Sequence, residues 1–202
     1  MVTLNKDNGA ERITIRYAIE AMTKFGKPIG AELGIAWGGG VESIGKIWKG
    51  CGTVYGFDTF EGHPRHLSYS DKSHEAYCME PQYRKYGMDG LKIEYQQANL
   101  DAQGLDNVKL VKGLIHDNSF NDAGITELHY CLLDMDMINP MTLGWTLVRP
   151  VMAKGGFLCL HDVTPVGHIT GLWGLYQEIL ASGEYKLVVD EPKSFIVVLE
   201  KL

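Results

Sequence analysis

At 202 residues, 45% hydrophobic and 22% charged, the chain has the length of one domain and enough apolar content to bury a core, which excludes disordered and collagen-like classes. A formal net charge of -6 disfavours a nucleic-acid backbone as partner, because phosphate binding is driven by clustered Lys and Arg. The longest apolar runs, Phe157 to Leu160 and Phe195 to Leu199, fall far short of the roughly 18 to 20 residues a membrane-spanning helix needs. Met1 to Asn8 lacks the basic and apolar regions of a secretory leader, so a cytoplasmic setting without a membrane partner is expected.

Ile13, Tyr17, Ala21 and Phe25 recur every four residues and predict a leading amphipathic helix that stops at Gly26. Its exposed apolar residues could serve a second copy of the chain. Pro28 to Ile35 reads as a first strand, followed by the cluster Gly38, Gly39, Gly40 and a helix over about 41 to 49 with Val41, Ile44, Ile47 and Trp48 inward. Thr53 to Phe57 is a second strand ending at Asp58. From Thr59 to about Met88 periodicity fails, and His, Pro, Ser and Tyr dominate; a segment this irregular suits a lid or an acceptor wall. His63, His66, His74 and His168 read as solvated residues in or beside such loops.

Regular alternation then resumes. A helix near 89 to 102 carries Leu91, Tyr95, Ala98 and Ala102 on one face, and Val108 to Lys112 is a third strand. Leu128 to Leu133 is a fourth, ending in Asp134-Met135-Asp136. Asn139 and Pro140 resemble an N-cap and first helical residue, with Pro150 ending that helix. Phe157 to Leu160 is a fifth strand, ending in His161-Asp162. Ile169, Leu172, Trp173, Tyr176 and Ile179 mark a last helix, and Tyr185 to Val189 with Phe195 to Leu199 form a hairpin. Cys51, Cys78, Cys131 and Cys159 form no C-x-x-C pair and read as reduced thiols, three of them in or beside apolar segments. Met135, Met137, Met141 and Met152 read as core filler.

Strand and helix alternation closed by a hairpin implies one domain with a mostly parallel sheet, helices on both faces and one antiparallel strand. Ligands bind such sheets beyond the carboxyl ends of the strands, where strand order switches. The segment Glu32-Leu33-Gly34-Ile35-Ala36-Trp37-Gly38 lies between the first strand and its helix, where glycines admit a ligand to backbone amides and to a helix N-terminus. The dinucleotide fingerprint G-x-G-x-x-G is not satisfied. Asp58, at the tip of the second strand, is placed to accept hydrogen bonds from two ribose hydroxyls.

Glu32-Leu-Gly, the run from Val54 through Tyr-Gly-Phe-Asp58-Thr-Phe-Glu-Gly-His to Pro64, and Lys154-Gly-Gly-Phe-Leu-Cys-Leu-His-Asp162 resemble the class I S-adenosylmethionine-dependent methyltransferases, nearest to the macrocin O-methyltransferase family. The resemblance spans about residues 28 to 180 and implies a Rossmann-like three-layer α/β/α sandwich whose seven-stranded sheet has one antiparallel strand. It implies that Glu32, Gly34, Ala36, Trp37 and Gly38 surround the methionine part and sulfonium of S-adenosylmethionine. Asp58 would hold the ribose, Thr59 and Phe60 would lie near the adenine, and Leu114 would line its other side. Ala36 departs from the second glycine of the E-x-G-x-G-x-G pattern, and a methyl there narrows the pocket.

Methyl transfer to oxygen is a displacement in which the acceptor lies in line with the methyl-sulfur bond and is at least partly deprotonated. Asp134 and Asp162 end neighbouring strands with His161 beside them, a donor set suited to Mg²⁺ or another divalent ion. Metal-dependent relatives carry acidic ligands at matching places, with Asp-Asp in the macrocin family where this chain has His161-Asp162. His161 is therefore either a ligand or the general base. Asp136 is a second-choice ligand or a helix cap. The lysine of catechol O-methyltransferases is replaced by Met137. The expected function is O-methylation of a small-molecule hydroxyl, on a sugar or another natural product. A non-catalytic cofactor-binding module, a nicotinamide-dependent oxidoreductase and an iron enzyme using the same three residues stay open beside it.

Overall fold

A computed structural model describes residues 9–62, 92–163 and 170–202, the side chain of Thr170 excepted. Helix α1 (Gly9–Phe25) buries Tyr17, Ala18 and Ala21 and ends where Gly26 adopts φ +71° and donates its amide to the Met22 carbonyl at 2.9 Å. After it come β1 (Ile29–Leu33), α2 (Gly39–Ile47), β2 (Thr53–Asp58), α3 (Ile93–Ala102), β3 (Val108–Lys112), α4 (Ser119–Asp122) and β4 (Leu128–Leu133). The chain closes with α5 (Ile138–Val148), β5 (Met152–Leu160), α6 (Thr170–Ala181), β6 (Tyr185–Glu191) and β7 (Ile196–Lys201). The seven strands lie in the order β3-β2-β1-β4-β5-β7-β6, and β7 alone runs antiparallel to its neighbours. This is the expected architecture.

Central strands buried on both faces lose the alternation of a half-exposed strand, and all six residues of β4 are buried. Their side chains still alternate between two cores. Cys131 and Leu133 join Phe120, Met141, Trp145, Leu172 and Tyr176 beneath α4, α5 and α6. Tyr130 and Leu132 join Tyr17, Val41, Ile44, Trp48 and Leu100 beneath α1, α2 and α3. Trp48 is fully buried, donates its indole N–H to the Ala18 carbonyl at 2.9 Å and meets Tyr130 edge-on. The four methionines expected in the core are buried there, and of the four tryptophans only Trp37 is prominently exposed. Cys51, Cys131 and Cys159 are free thiols, the last two fully buried. No helix among the described residues is long and apolar enough to cross a membrane.

Several local expectations are corrected. In α3 the buried residues are Gln96 and Leu100, whereas Tyr95, Ala98 and Ala102 are exposed; an inward glutamine with a backbone partner displaced the apolar stripe. The cap of α5 is Met137 rather than Asn139, so Pro140 occupies the third helical position, where its missing N–H has no helical partner to lose. Strand β5 begins at Met152, because Gly155, at φ +78°, and Gly156 break the apolar run while the pairing with β4 continues through a register shift. Helix α4 is a single turn without a legible pattern. The irregular segment expected as a lid or acceptor wall lies from residue 63 onward outside the described residues, as do the four loop histidines, Cys78 and Leu91.

Candidate active site

The switch in strand order falls between β1 and β4, and Gly34, Asp58, Asp134 and His161-Asp162 end or follow strands at the carboxyl rim around it. The tips are laced by backbone bonds: the Gly34 amide donates to the Phe57 carbonyl at 2.8 Å, Asp134 to Leu33 at 2.9 Å, and His161 to Leu133 at 3.1 Å. Gly34 has φ +89°, and a methyl group there would be driven into the Asp134 carbonyl, so glycine is what lets β1 and β4 close together.

Past β1 the chain turns through Ala36 at φ +46° and Gly38 at φ +76°, the latter serving as cap of α2. Two side chains hold this loop. Asp58 accepts the Ala36 amide at 3.0 Å on one carboxylate oxygen and the Phe60 amide at 2.8 Å on the other. Gln96 donates its side-chain amide to the Ala36 carbonyl at 2.6 Å. Gln96 is the positioning residue that sequence reasoning missed, and the Ile93, Gln96, Leu100 spacing was the signal for it. Trp37, between the two left-handed residues, is 43% exposed.

Glu32 projects from β1 toward the first turn of α2, where the absence of a side chain at Gly40 makes room for its carboxylate. It is 4% exposed, and its Oε2 has no hydrogen-bond partner among the described residues. Burial pushes its pKa well above the ordinary carboxylate range, the charges of Asp134 and Asp58 push the same way, and His161 opposes them. The site therefore sets one buried carboxyl group, whose neutral form is favoured, beside two partly exposed aspartates.

Asp134, His161 and Asp162 converge at the tips of β4 and β5. His161 Nδ1 lies 2.9 Å from Asp134 Oδ1 and 3.4 Å from Asp162 Oδ2. One ligand atom from each residue lies within 4.8 Å of the others, a spacing compatible with one ion. Burial alone would lower the His161 pKa, but hydrogen bonds to both carboxylates and their charge raise it to about 11. Without an ion, the two carboxylates favour the protonated ring. Asp136 sits two residues on, at φ +60°. The structure thus brings Asp134, His161 and Asp162 together as one cluster. The Thr59 hydroxyl donates to the Gly62 carbonyl at 2.7 Å within the turn after β2. The Phe60 ring is buried in the α1/α2/α3 core, and Leu114 is exposed just past β3.

No family model and no curated protein matches the sequence. Solved structures do match. The O-methyltransferase NovP superposes with a TM-score of 0.73 at 18% identity, over 95% of this chain and 79% of that one. The calicheamicin methyltransferase CalS11 gives 0.67 at 14% identity, over 98% and 80%. A methyltransferase from Geobacter sulfurreducens gives 0.64 at 14% identity, over 97% and 80%. At these identities the likeness establishes the fold that these methyltransferase structures share, and the chemistry must be argued from the site.

Proposed function

We propose that this protein transfers a methyl group from S-adenosylmethionine to a hydroxyl of a small molecule, on a sugar or another natural product, aided by a divalent ion. The observation that carries the reading is the Asp134, His161, Asp162 cluster standing on the same rim as the glycine loop and Asp58. The donor carries a sulfonium and an ammonium group, and the orphaned carboxyl oxygen of Glu32, with Asp58 and Asp134 near it, suits that charge. Asp58 keeps acceptor capacity for ribose hydroxyls while holding two amides, since each carboxylate oxygen has a second lone pair. The neighbouring structures add support: CalS11 is described as a TDP-rhamnose 3'-O-methyltransferase.

In the reaction an oxygen-carbon bond forms as the carbon-sulfur bond breaks, the sulfonium becomes a neutral thioether, and the hydroxyl proton passes to a group of the cluster or to solvent. With an ion bound, His161 would act as the neutral imidazole, its proton displaced from between Asp134 and Asp162, and would serve as a third ligand or as the base that takes the hydroxyl proton. Asp134, His161 and Asp162 would hold the metal, whose Lewis acidity lowers the hydroxyl pKa. Calorimetry with S-adenosylhomocysteine and a metal-dependent methylation assay on a panel including TDP-rhamnose test the reading. Asp134→Asn and Asp162→Asn are expected to lose metal stimulation by about a hundredfold, corresponding to roughly 3 kcal/mol of barrier, and Asp136→Asn to keep it. Undetectable S-adenosylhomocysteine binding by folded protein would refute the reading; binding without turnover on any acceptor would favour a non-catalytic module.

A further inference from the structure

Five non-glycine residues among those described have positive φ: Ala36, Phe60, Asp136, Asp162 and Phe195. The first four follow the tips of β1, β2, β4 and β5. The fifth lies in the β6–β7 turn, and because β6 runs parallel to β5, that turn reaches the same rim. Phe195 has φ +52°, a conformation costly for a bulky side chain, and its ring is 46% exposed. Neither its burial nor its local backbone preference accounts for an aromatic residue here. Strain of this kind persists where surrounding structure imposes it, and it concentrates at ligand sites.

The surroundings impose it from two sides. The Phe195 carbonyl accepts the amide of Val163 at 3.1 Å, tying the hairpin to the residue directly after Asp162. On the other side Gly9, the first residue of α1, lies against the Ser194 side chain. The hairpin is thus braced between the first turn of α1 and the His161–Asp162 turn. It flanks that turn on the side away from Asp58 and the glycine loop, where the donor would bind.

We propose that Phe195 is the acceptor platform of this site: its ring stacks on the apolar face of a neutral, ring-shaped hydroxyl compound and holds one hydroxyl toward Asp134, His161 and Asp162. This deepens the methyltransferase reading and rests on it. Aromatic side chains serve equally for an aryl ring or for the C–H face of a sugar, and the carboxylates Asp134 and Asp162 on the same rim disfavour an anionic group near them.

The test uses the full chain with S-adenosylhomocysteine and Mg²⁺ bound, and two probes, catechol and methyl α-rhamnopyranoside, read by saturation-transfer NMR. The wild type is expected to bind at least one of them, and which one identifies the source of the ring. Phe195→Ala should weaken that probe at least tenfold, Phe195→Tyr should restore it, and the calorimetric Kd for S-adenosylhomocysteine should stay unchanged in both. Phe195→Gly separates binding from folding, since glycine relieves the positive φ and keeps the carbonyl on Val163. Its Tm should equal or exceed that of the wild type while probe binding is lost, a divergence that a merely structural residue would not produce. Probe binding indifferent to Phe195, or absent for both compounds in a protein that binds S-adenosylhomocysteine, overturns this inference alone. Absence of S-adenosylhomocysteine binding overturns the underlying reading with it.

Discussion

Asp58 is where the fold and the proposed chemistry are most tightly joined, so its replacement is the most informative perturbation. Its carboxylate accepts the amides of Ala36 at 3.0 Å and Phe60 at 2.8 Å, two residues held at φ +46° and +55°. A hydrogen bond to a charged acceptor contributes about 1.5–3 kcal/mol. Because Asp58 is partly exposed, the lower figure applies, and the two bonds together are worth about 3 kcal/mol. Left-handed backbone costs about 1–2 kcal/mol for each residue; both turns stay held by the rest of the loop, so relaxation recovers only about half of that strain, roughly 1–2 kcal/mol in all, and offsets part of the loss. Asp58→Ala should therefore destabilise the protein by about 1–2 kcal/mol in urea unfolding followed by tryptophan fluorescence, with the denaturant slope unchanged. The effect on S-adenosylhomocysteine binding should be larger in relative terms, because the variant loses both the ribose contacts and the loop geometry. A fall of about 100-fold in calorimetric affinity corresponds to roughly 3 kcal/mol. Asp58→Asn keeps one acceptor oxygen for Phe60 but can turn an NH₂ group toward the Ala36 amide, and should lie between the two. Wild-type affinity in Asp58→Ala, or an Asp58→Asn variant weaker than Asp58→Ala, would refute the reasoning.

Gly34→Ala should cost about 2–6 kcal/mol, summing left-handed strain with the overpacking of a methyl against the Asp134 carbonyl. Gly26→Ala, at φ +71° with open space around it, should cost only about 1–2 kcal/mol; equal losses in chemical denaturation would disprove the close approach of β1 and β4. His129 accepts the Ile29 amide on Nδ1 at 3.0 Å, and burial lowers its pKa while Glu127 opposes the shift. The unfolded chain then binds the extra proton first, so the contribution of His129 is full above the unfolded value near 6.5 and is lost as pH falls toward the folded value, at no more than about 1.4 kcal/mol per pH unit. Unfolding curves between pH 7.5 and 5 should show His129→Gln declining less steeply than the wild type, and parallel declines would count against this role.

What was legible in the sequence is what depends on local pattern. Each central strand is an apolar run that stops at a polar residue, so Asp58, Asp134 and His161-Asp162 announced their positions at strand ends, and the parallel sheet followed from alternation alone. What was not legible depends on partners distant in the chain. Gln96 faces inward because the Ala36 carbonyl waits there, a contact spanning sixty positions, and an apolar stripe of exposed residues pointed the other way. Strand β5 continues past two glycines because β4 supplies the pairing, which no window on residues 152 to 156 reveals. The bond between the Val163 amide and the Phe195 carbonyl, and with it the reach of the hairpin to the rim, is invisible to any periodicity.

The same division explains why the strained residues were missed as a group. Alanine, phenylalanine and aspartate at positive φ are disfavoured by their own backbone preferences, so no local rule predicts them. At about 1–2 kcal/mol each, five such residues hold an amount comparable to the net stability of an ordinary domain. They can persist only because the sheet beneath them is packed on both faces, by the Trp48 and Tyr130 core on one side and the Met141 and Trp145 core on the other. The interior thus does more than hold the fold: it keeps a rim of unfavourable turns in register at the carboxyl ends of the strands. A chain that relaxed those turns would keep its sheet and lose the strand-end geometry on which the proposed binding and chemistry depend.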